Sequence, residues 1–175
     1  MLFRSGRALE IGPVSTPLAK AIEVALRLPA GLKPAGVGLY LFRDARDGWE
    51  YIGATHDATA GTIGGGTRHL GLFSLMRDTR APRITLAAIP RAIPAAPYPR
   101  WAIEAPLADQ GSGVDARESY FIVDGRRCPG EWDSAIETLR WRPLRAPSRG
   151  SHTVAVVATD RAGNARRTSG VFVLN

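Results

Sequence analysis

Residues 150–159 read Gly-Ser-His-Thr-Val-Ala-Val-Val-Ala-Thr, the strongest strand signal in the chain. Valine and threonine dominate it, and β-branched side chains suit an extended, pleated backbone. Asp160-Arg161-Ala162-Gly163-Asn164 follows as a turn and leads into a final strand over Thr168 to Leu174. Two strands joined this way make a hairpin, and a hairpin needs further strands to bury one face.

The rest of the second half supplies them. Ile84-Thr85-Leu86 opens the pattern, followed by a loop rich in proline (Pro90, Pro94, Pro97, Pro99). Trp101, Ile103 and Ala105 alternate. Asp109-Gln-Gly-Ser-Gly113 is a turn before Val114-Asp115, Tyr120 to Val123 is a strand, and Asp124-Gly125 is a hairpin turn into Arg126 to Cys128. Glu131-Trp132-Asp133 is a short strand or loop, and Leu139 with Trp141 marks another strand. About seven short strands at even spacing predict an antiparallel sandwich.

The first half is also β in character. Leu18, Ile22, Ala25 and Leu26 have helical spacing, but Ile22, Val24, Leu26 and Leu28 alternate with period two, which favours a strand stopped by Pro29 and Gly31. Val37 to Arg43 is a second strand. Asp44 to Gly48 is a hairpin turn, and Trp49, Tyr51 and Ile52 return from it. The stretch from His56 to Gly66 reads as a turn region with one short strand at Thr62-Ile63, and Gly64-Gly65-Gly66 as turn-forming. Gly71 to Met76 is the last strand, and Asp78 to Pro82 reads as turn and linker. The expected fold class is therefore all-β: two antiparallel β-sandwich domains in tandem, residues 1–79 and 83–175, joined by a linker at 80–82.

Composition agrees. Of 175 residues, 45% are hydrophobic, enough for buried cores, and 19 glycines with 13 prolines suit strands joined by turns. Lys20 and Lys33 are the only lysines among 23 basic residues, an arginine bias associated with high-GC bacterial genomes. The net charge of +7 is scattered, with Arg126-Arg127 and Arg166-Arg167 the only adjacent pairs, so a solvated basic surface is expected rather than a specific nucleic-acid site. Cys128 is the single cysteine, which excludes an internal disulfide and a cysteine-based zinc site and leaves a partly buried thiol as the expectation. No apolar run reaches the length of a membrane span, and Met1 to Arg7 lacks the apolar stretch of a signal peptide.

The second half resembles bacterial immunoglobulin-like, fibronectin-type-III-like modules. The residues that carry the likeness are Asp109-x-Gly-Ser-Gly-Val114, Val123-Asp-Gly125, Leu139-x-Trp-x-Pro143, Gly150-x-His-x-Val-x-Val156 and Thr159-Asp-x-Ala-Gly-Asn164. The resemblance covers 83–175 and implies a two-sheet sandwich, an extracellular setting and no catalysis. The first half resembles the domain that precedes such modules in secreted bacterial proteins, including lysostaphin-type cell-wall metallopeptidases. Here the likeness rests on Gly12-Pro13, Ala35 to Phe42, Trp49-Glu-Tyr-Ile-Gly53 and His69-Leu-Gly-Leu-Phe-Ser-Leu75. The peptidase's own zinc motifs, His-x-x-x-Asp and His-x-His, are absent. The first half is also distantly similar to the ZU5 β-sandwich family, some members of which self-cleave at a His-Phe-Ser motif. His69, Leu70 and Gly71 occupy those positions, and glycine replaces the hydroxyl nucleophile, so self-cleavage is not implied. These likenesses imply a fragment or tail of a larger protein of the cell envelope or exterior, whose export signal is not in this chain.

The catalytic inventory is thin. His56, His69 and His152 are dispersed, no His-Glu-x-x-His occurs, and His69 and His152 read as strand-edge side chains. No Gly-x-Ser-x-Gly elbow is present, and Gly64 to Thr67 lacks the Lys-Ser/Thr of a phosphate loop. The expectation is therefore a non-enzyme. Calcium is the candidate ligand, through Asp109, Asp115, Asp160 and Asn164, with Asp78 in the linker as a further carboxylate. The competing reading gives these residues to turns, as side-chain acceptors of backbone N–H groups. No other cofactor is expected. Trp101 and Trp132 are the candidates for stacking on sugars, while Trp49 and Trp141 are expected in cores. Two functions follow as expectations. One is a structural or interaction module docking another protein or envelope component. The alternative is a cell-wall or carbohydrate-binding module accessory to a peptidoglycan hydrolase.

Overall fold

The computed structural model describes residues 2–4, 8–14, 16–86, 91–92, 101–145 and 147–174, with 2–4, 91, 92 and 101 described by backbone alone. The described residues form strands and turns without helix, so none is a helix long and apolar enough to cross a membrane. The chain divides into two compact units, Met1–Arg80 and Ala81–Asn175. The prolines 90, 94, 97 and 99 lie outside the described residues.

The first unit holds β1 (Leu2–Arg4), β2 (Leu9–Ile11), β3 (Pro17–Arg27), β4 (Val37–Asp44), β5 (Gly48–Gly53), β6 (Thr55–Asp57), β7 (Thr62–His69) and β8 (Gly71–Asp78). One antiparallel sheet runs β1-β8-β4-β5, with β2 also on β8, and a second runs β3-β7-β6. The register Leu39↔Leu75 and Leu41↔Phe73 sets these side chains on one face. That face packs with Val24 and Ile63 of the other sheet, giving a dry core between the two. The alternation read in Ile22, Val24 and Leu26 is the inward edge of β3, and the helical spacing is overruled by it.

Gly64-Gly65-Gly66 is not a turn. It lies in the middle of β7, paired with Val24 and its neighbours in β3 on one side and with Thr55 in β6 on the other. The reason is a close backbone crossing. A Cβ on Gly65 would stand 2.8 Å from the Ile52 carbonyl oxygen and 2.9 Å from the Gly53 nitrogen, and one on Gly53 would meet the Gly65 Cα at 3.0 Å. Only glycine lets strands of the two sheets approach this closely. Local composition suggested flexibility, whereas the tertiary approach demands absent side chains.

The second unit holds β9 (Arg83–Ile84), β10 (Arg91–Ala92), β11 (Trp101–Ala108), β12 (Tyr120–Val123), β13 (Arg126–Pro129), β14 (Glu131–Asp133), β15 (Thr138–Trp141), β16 (Gly150–Thr159) and β17 (Ala165–Leu174). One sheet runs β10-β11-β15-β14 with β9 also on β11, and the other runs β13-β12-β16-β17. The core takes Ile103, Ala105, Leu107, Leu139 and Trp141 from the first, and Phe121, Val123, Val154, Val156, Ala158 and Phe172 from the second. Phe121↔Val156, Val123↔Val154 and His152↔Phe172 are directly opposed, so period-two alternation places all six on the inner face. Asp124 and Gly125 both take positive φ (47° and 77°), the geometry of the tight hairpin expected there.

The glycine crossing predicts a contrast between neighbours. Gly65→Ala should destabilise the first unit by about 1–3 kcal/mol, because its methyl group meets the Ile52–Gly53 backbone, which cannot give way as a side chain can. Gly66→Ala should be tolerated, since a Cβ there meets only the flexible tip of Glu23 at 3.3 Å. Urea unfolding followed through β7 amide resonances checks the difference.

Candidate functional site

The candidate calcium residues sit in loops at one end of the second unit. The Asp109 loop and the Asp160 turn are laced together: Ala162 N–H donates to Ser112 Oγ (3.0 Å), Arg161 N–H to the Gly113 carbonyl (2.9 Å), and Val114 bridges Asp160. A carboxylate oxygen of Asp109 and one of Asp160 consequently lie within 4.8 Å. Both carboxylates are engaged by their own loops. Asp109 Oδ2 accepts from Gly111 N–H (3.0 Å) and Gly113 N–H (2.7 Å). Asp160 Oδ1 accepts from Ala162 (2.9 Å) and Asn164 (2.8 Å), and its Oδ2 takes the Asn164 side-chain amide at 2.8 Å.

The other two candidates are turned to different tasks. Asp115 Oδ1 accepts from Arg117 N–H at 3.0 Å and thereby caps its own turn. Asn164 points its amide N–H, not its carbonyl, at Asp160. Asp78 closes β8 in the first unit, where its carboxylate accepts the Arg80 N–H at 3.1 Å. Among the described residues of the second unit, Asp109 and Asp160 are two carboxylates brought together, where calcium takes six to eight oxygens.

The tryptophans also separate. Trp141 is buried in the core, and Trp132 is half-buried and packed against it. Trp49 is half-buried with its ring 5.3 Å from that of Phe42. Trp101 is in β11 by its backbone, and its side chain lies outside the described residues. Cys128 is partly buried on β13, its thiol 3.5 Å from the Arg126 carbonyl oxygen. Gly71 is buried so closely that a Cβ would stand 2.7 Å from Leu41 Cδ1.

One close polar contact joins two residues that the sequence leaves unpaired. His152 is not an edge side chain. It lies on β16, an inner strand of its sheet, and is buried with its ring stacked on Phe172 at 5.1 Å. Its Nδ1 meets Asp124 Oδ2 at 2.7 Å, and its Nε2 meets the Ser148 carbonyl at 2.8 Å. Asp124 Oδ1 also accepts the Thr153 N–H at 2.9 Å. Both ring nitrogens face oxygens that only accept, so the ring makes both bonds only as imidazolium. The hydrogen bond to Asp124 accordingly raises the His152 pKa above its usual 6.5, helped by the Ser148 carbonyl, while burial opposes it. The bond from His152 lowers Asp124 below its usual 3.8, and Thr153 adds to this. The Asp-Gly turn marked one partner in the sequence, and Gly150-x-His marked the other. Their meeting across 28 residues needed the fold.

Chemically the pair is a staple. Among the described residues no hydroxyl or thiol hydrogen-bonds the His152 ring, whose second nitrogen is taken by a carbonyl. No family model matches the chain, and no curated protein matches it.

The staple sets a pH window. The His152 contribution is complete below its unfolded value of 6.5 and is lost as pH rises through the raised folded value. The Asp124 contribution is complete above 3.8 and is lost as pH falls through the depressed folded value. The second unit should therefore show a higher urea midpoint at pH 6 than at pH 9, and Asp124→Asn should flatten that difference. In the neighbouring loops, Asp160→Ala should cost about 3 kcal/mol, because it removes a buried acceptor of three bonds. Asp115→Ala, which loses only its own turn cap, should cost about 1 kcal/mol or less in the same assay.

Proposed function

We propose that the chain is a non-catalytic structural and interaction module of a bacterial extracellular or cell-envelope protein, and that it spaces or docks a protein partner. Within it, residues 83–175 are read as an immunoglobulin-like sandwich. The strand order supports that reading: with β10 set aside, β9-β11-β15-β14 opposes β13-β12-β16-β17, as the A-B-E-D sheet opposes C′-C-F-G. The bacterial and envelope setting rests on the sequence resemblances.

The observation that carries the docking role is how the polar groups are used. The carboxylates of Asp109, Asp115, Asp124 and Asp160 and the imidazole of His152 make their hydrogen bonds to the chain's own turns and strands. That leaves the surface, not a reacting constellation, as the feature open to a partner. The carbohydrate alternative asks for a flat exposed aromatic, and Trp132 is packed against the core instead.

A sedimentation assay with isolated peptidoglycan, run beside thermal unfolding with and without calcium, tests the reading. The expected result is no saturable retention and a Tm unchanged by millimolar calcium. Saturable retention that Trp132→Ala abolishes would replace docking with wall binding. A calcium-dependent rise in Tm that Asp160→Ala removes would make the loops a metal site.

A further inference from the structure

We infer that β17 is a docking edge for an extended segment of another protein, one whose apolar part lies along Val171 to Leu174 and whose acidic part lies along Arg166-Arg167. The inference rests on the docking reading above and gives it a surface.

The edges of this chain are unequal. A sheet edge presents unpaired backbone groups, and folded proteins blunt it by shortness, charge, proline or a bulge. In the second unit, β13 has four residues and ends in Pro129, β14 has three residues and carries Glu131 and Asp133, and β9 and β10 have two each. In the first unit, the long edge strand β3 carries Lys20, Glu23 and Arg27 and a register shift between Pro17 and Ile22. By contrast β17 runs ten residues in unbroken register with β16, contains no proline, and among the described residues pairs with no other strand. Among the described residues, β9 and β10 pair with β11, through Ile84↔Leu107 and Arg91↔Ala102, while Leu86 packs beside Gly170 of β17.

The side chains define the partner. Val171 and Val173 are 55% and 59% exposed, beside a shallow groove of about 510 Å³ lined by Ile122, Ala155, Arg167 and Val171 among others. Arg166 and Arg167 stand exposed at the other end of the strand, and no ion pair among the described residues engages either. None of the four strands β12, β13, β16 and β17 contains an acidic residue. An added strand would hydrogen-bond through its backbone, while opposite-charge and apolar cross-strand pairs would set its register. In the antiparallel sense its leading half is apolar and its trailing half acidic. A second copy of β17 fits less well, because it would set Arg166 and Arg167 against Leu174 and Val173 and supply no carboxylate.

The test uses the whole chain and a synthetic capped decapeptide. The peptide has valines at its second and fourth positions, glutamates at its eighth and ninth, and serine or threonine elsewhere. Amide resonances of β17 should shift saturably on titration. Arg166→Glu with Arg167→Glu should weaken binding about tenfold, as should N-methylation of alternate peptide residues. Replacing the peptide glutamates with arginines should do the same on the unaltered chain, which keeps the test valid if the double variant fails to fold. Absence of β17 shifts, binding that survives N-methylation, or a dimer in sedimentation equilibrium that Val171→Lys dissolves would each overturn the assignment. Retention on peptidoglycan in the preceding experiment bears on the docking reading, whereas the β17 amides bear on this edge alone.

Discussion

Neither unit has a covalent or disulfide clamp: with one cysteine in the chain, burial of apolar faces between sheets has to outweigh the chain entropy lost on folding. That constraint explains why alternation is so regular. In β16 the inward positions are His152, Val154, Val156 and Ala158, and all four are buried. In the first unit the same demand brings Leu39, Leu41, Phe73 and Leu75 against Val24 and Ile63. There the sheets must come close, and the crossing of β5 with β7 at Gly53, Gly64 and Gly65 is what permits it. A side chain at Gly65 would push apart the backbones whose separation sets the packing of that core.

Ends of sandwiches are loops, and loops carry backbone N–H groups that no ladder satisfies. The aspartates at these corners serve that need. Asp44, Asp57, Asp109, Asp115 and Asp160 each accept two or more backbone N–H bonds within their own turns. A spacing of acidic residues that resembles a cation site in sequence is thus equally the pattern of a chain turning tightly many times. Asp124 does more than the rest, because its turn is bonded to the neighbouring strand through Thr153 and His152. This ties the β12–β13 hairpin to β16 and to the Ser148 segment through a buried histidine.

Function in such a scaffold falls to what the folding constraint leaves over. The inner faces are committed to the cores and the turn carboxylates to the backbone. The long strand β17 remains, with valines outward at one end and two arginines at the other. Shortness, proline, acidic or mixed charge, or a register shift marks the other edges. Length, unbroken register, lack of proline and charge of basic sign alone set β17 apart.

The sequence by itself determined the strands and most of the turns. Alternation in Ile22 to Leu26, Val154 to Ala158 and Ile103 to Leu107 is a local property, and Asp47-Gly48 and Asp124-Gly125 set hairpins through a backbone preference that needs no distant partner. The all-β class was readable for the same reason. It did not reveal β1 and β2, whose short segments carry little periodicity, nor the first three residues of β17, where Ala165-Arg166-Arg167 looks like loop until β16 pairs with it. Only the tertiary structure decided that three consecutive glycines form a central strand, because the argument is the distance to Ile52 and Gly53 from another sheet. It alone decided that His152 is buried and bonded at both ring nitrogens, since its partners are Asp124 and Ser148 and its neighbour is Phe172. It also packed the half-buried Trp132 against the core and brought Asp109 near Asp160. Each of these depends on residues far apart in the chain, and long-range proximity is what local pattern cannot encode.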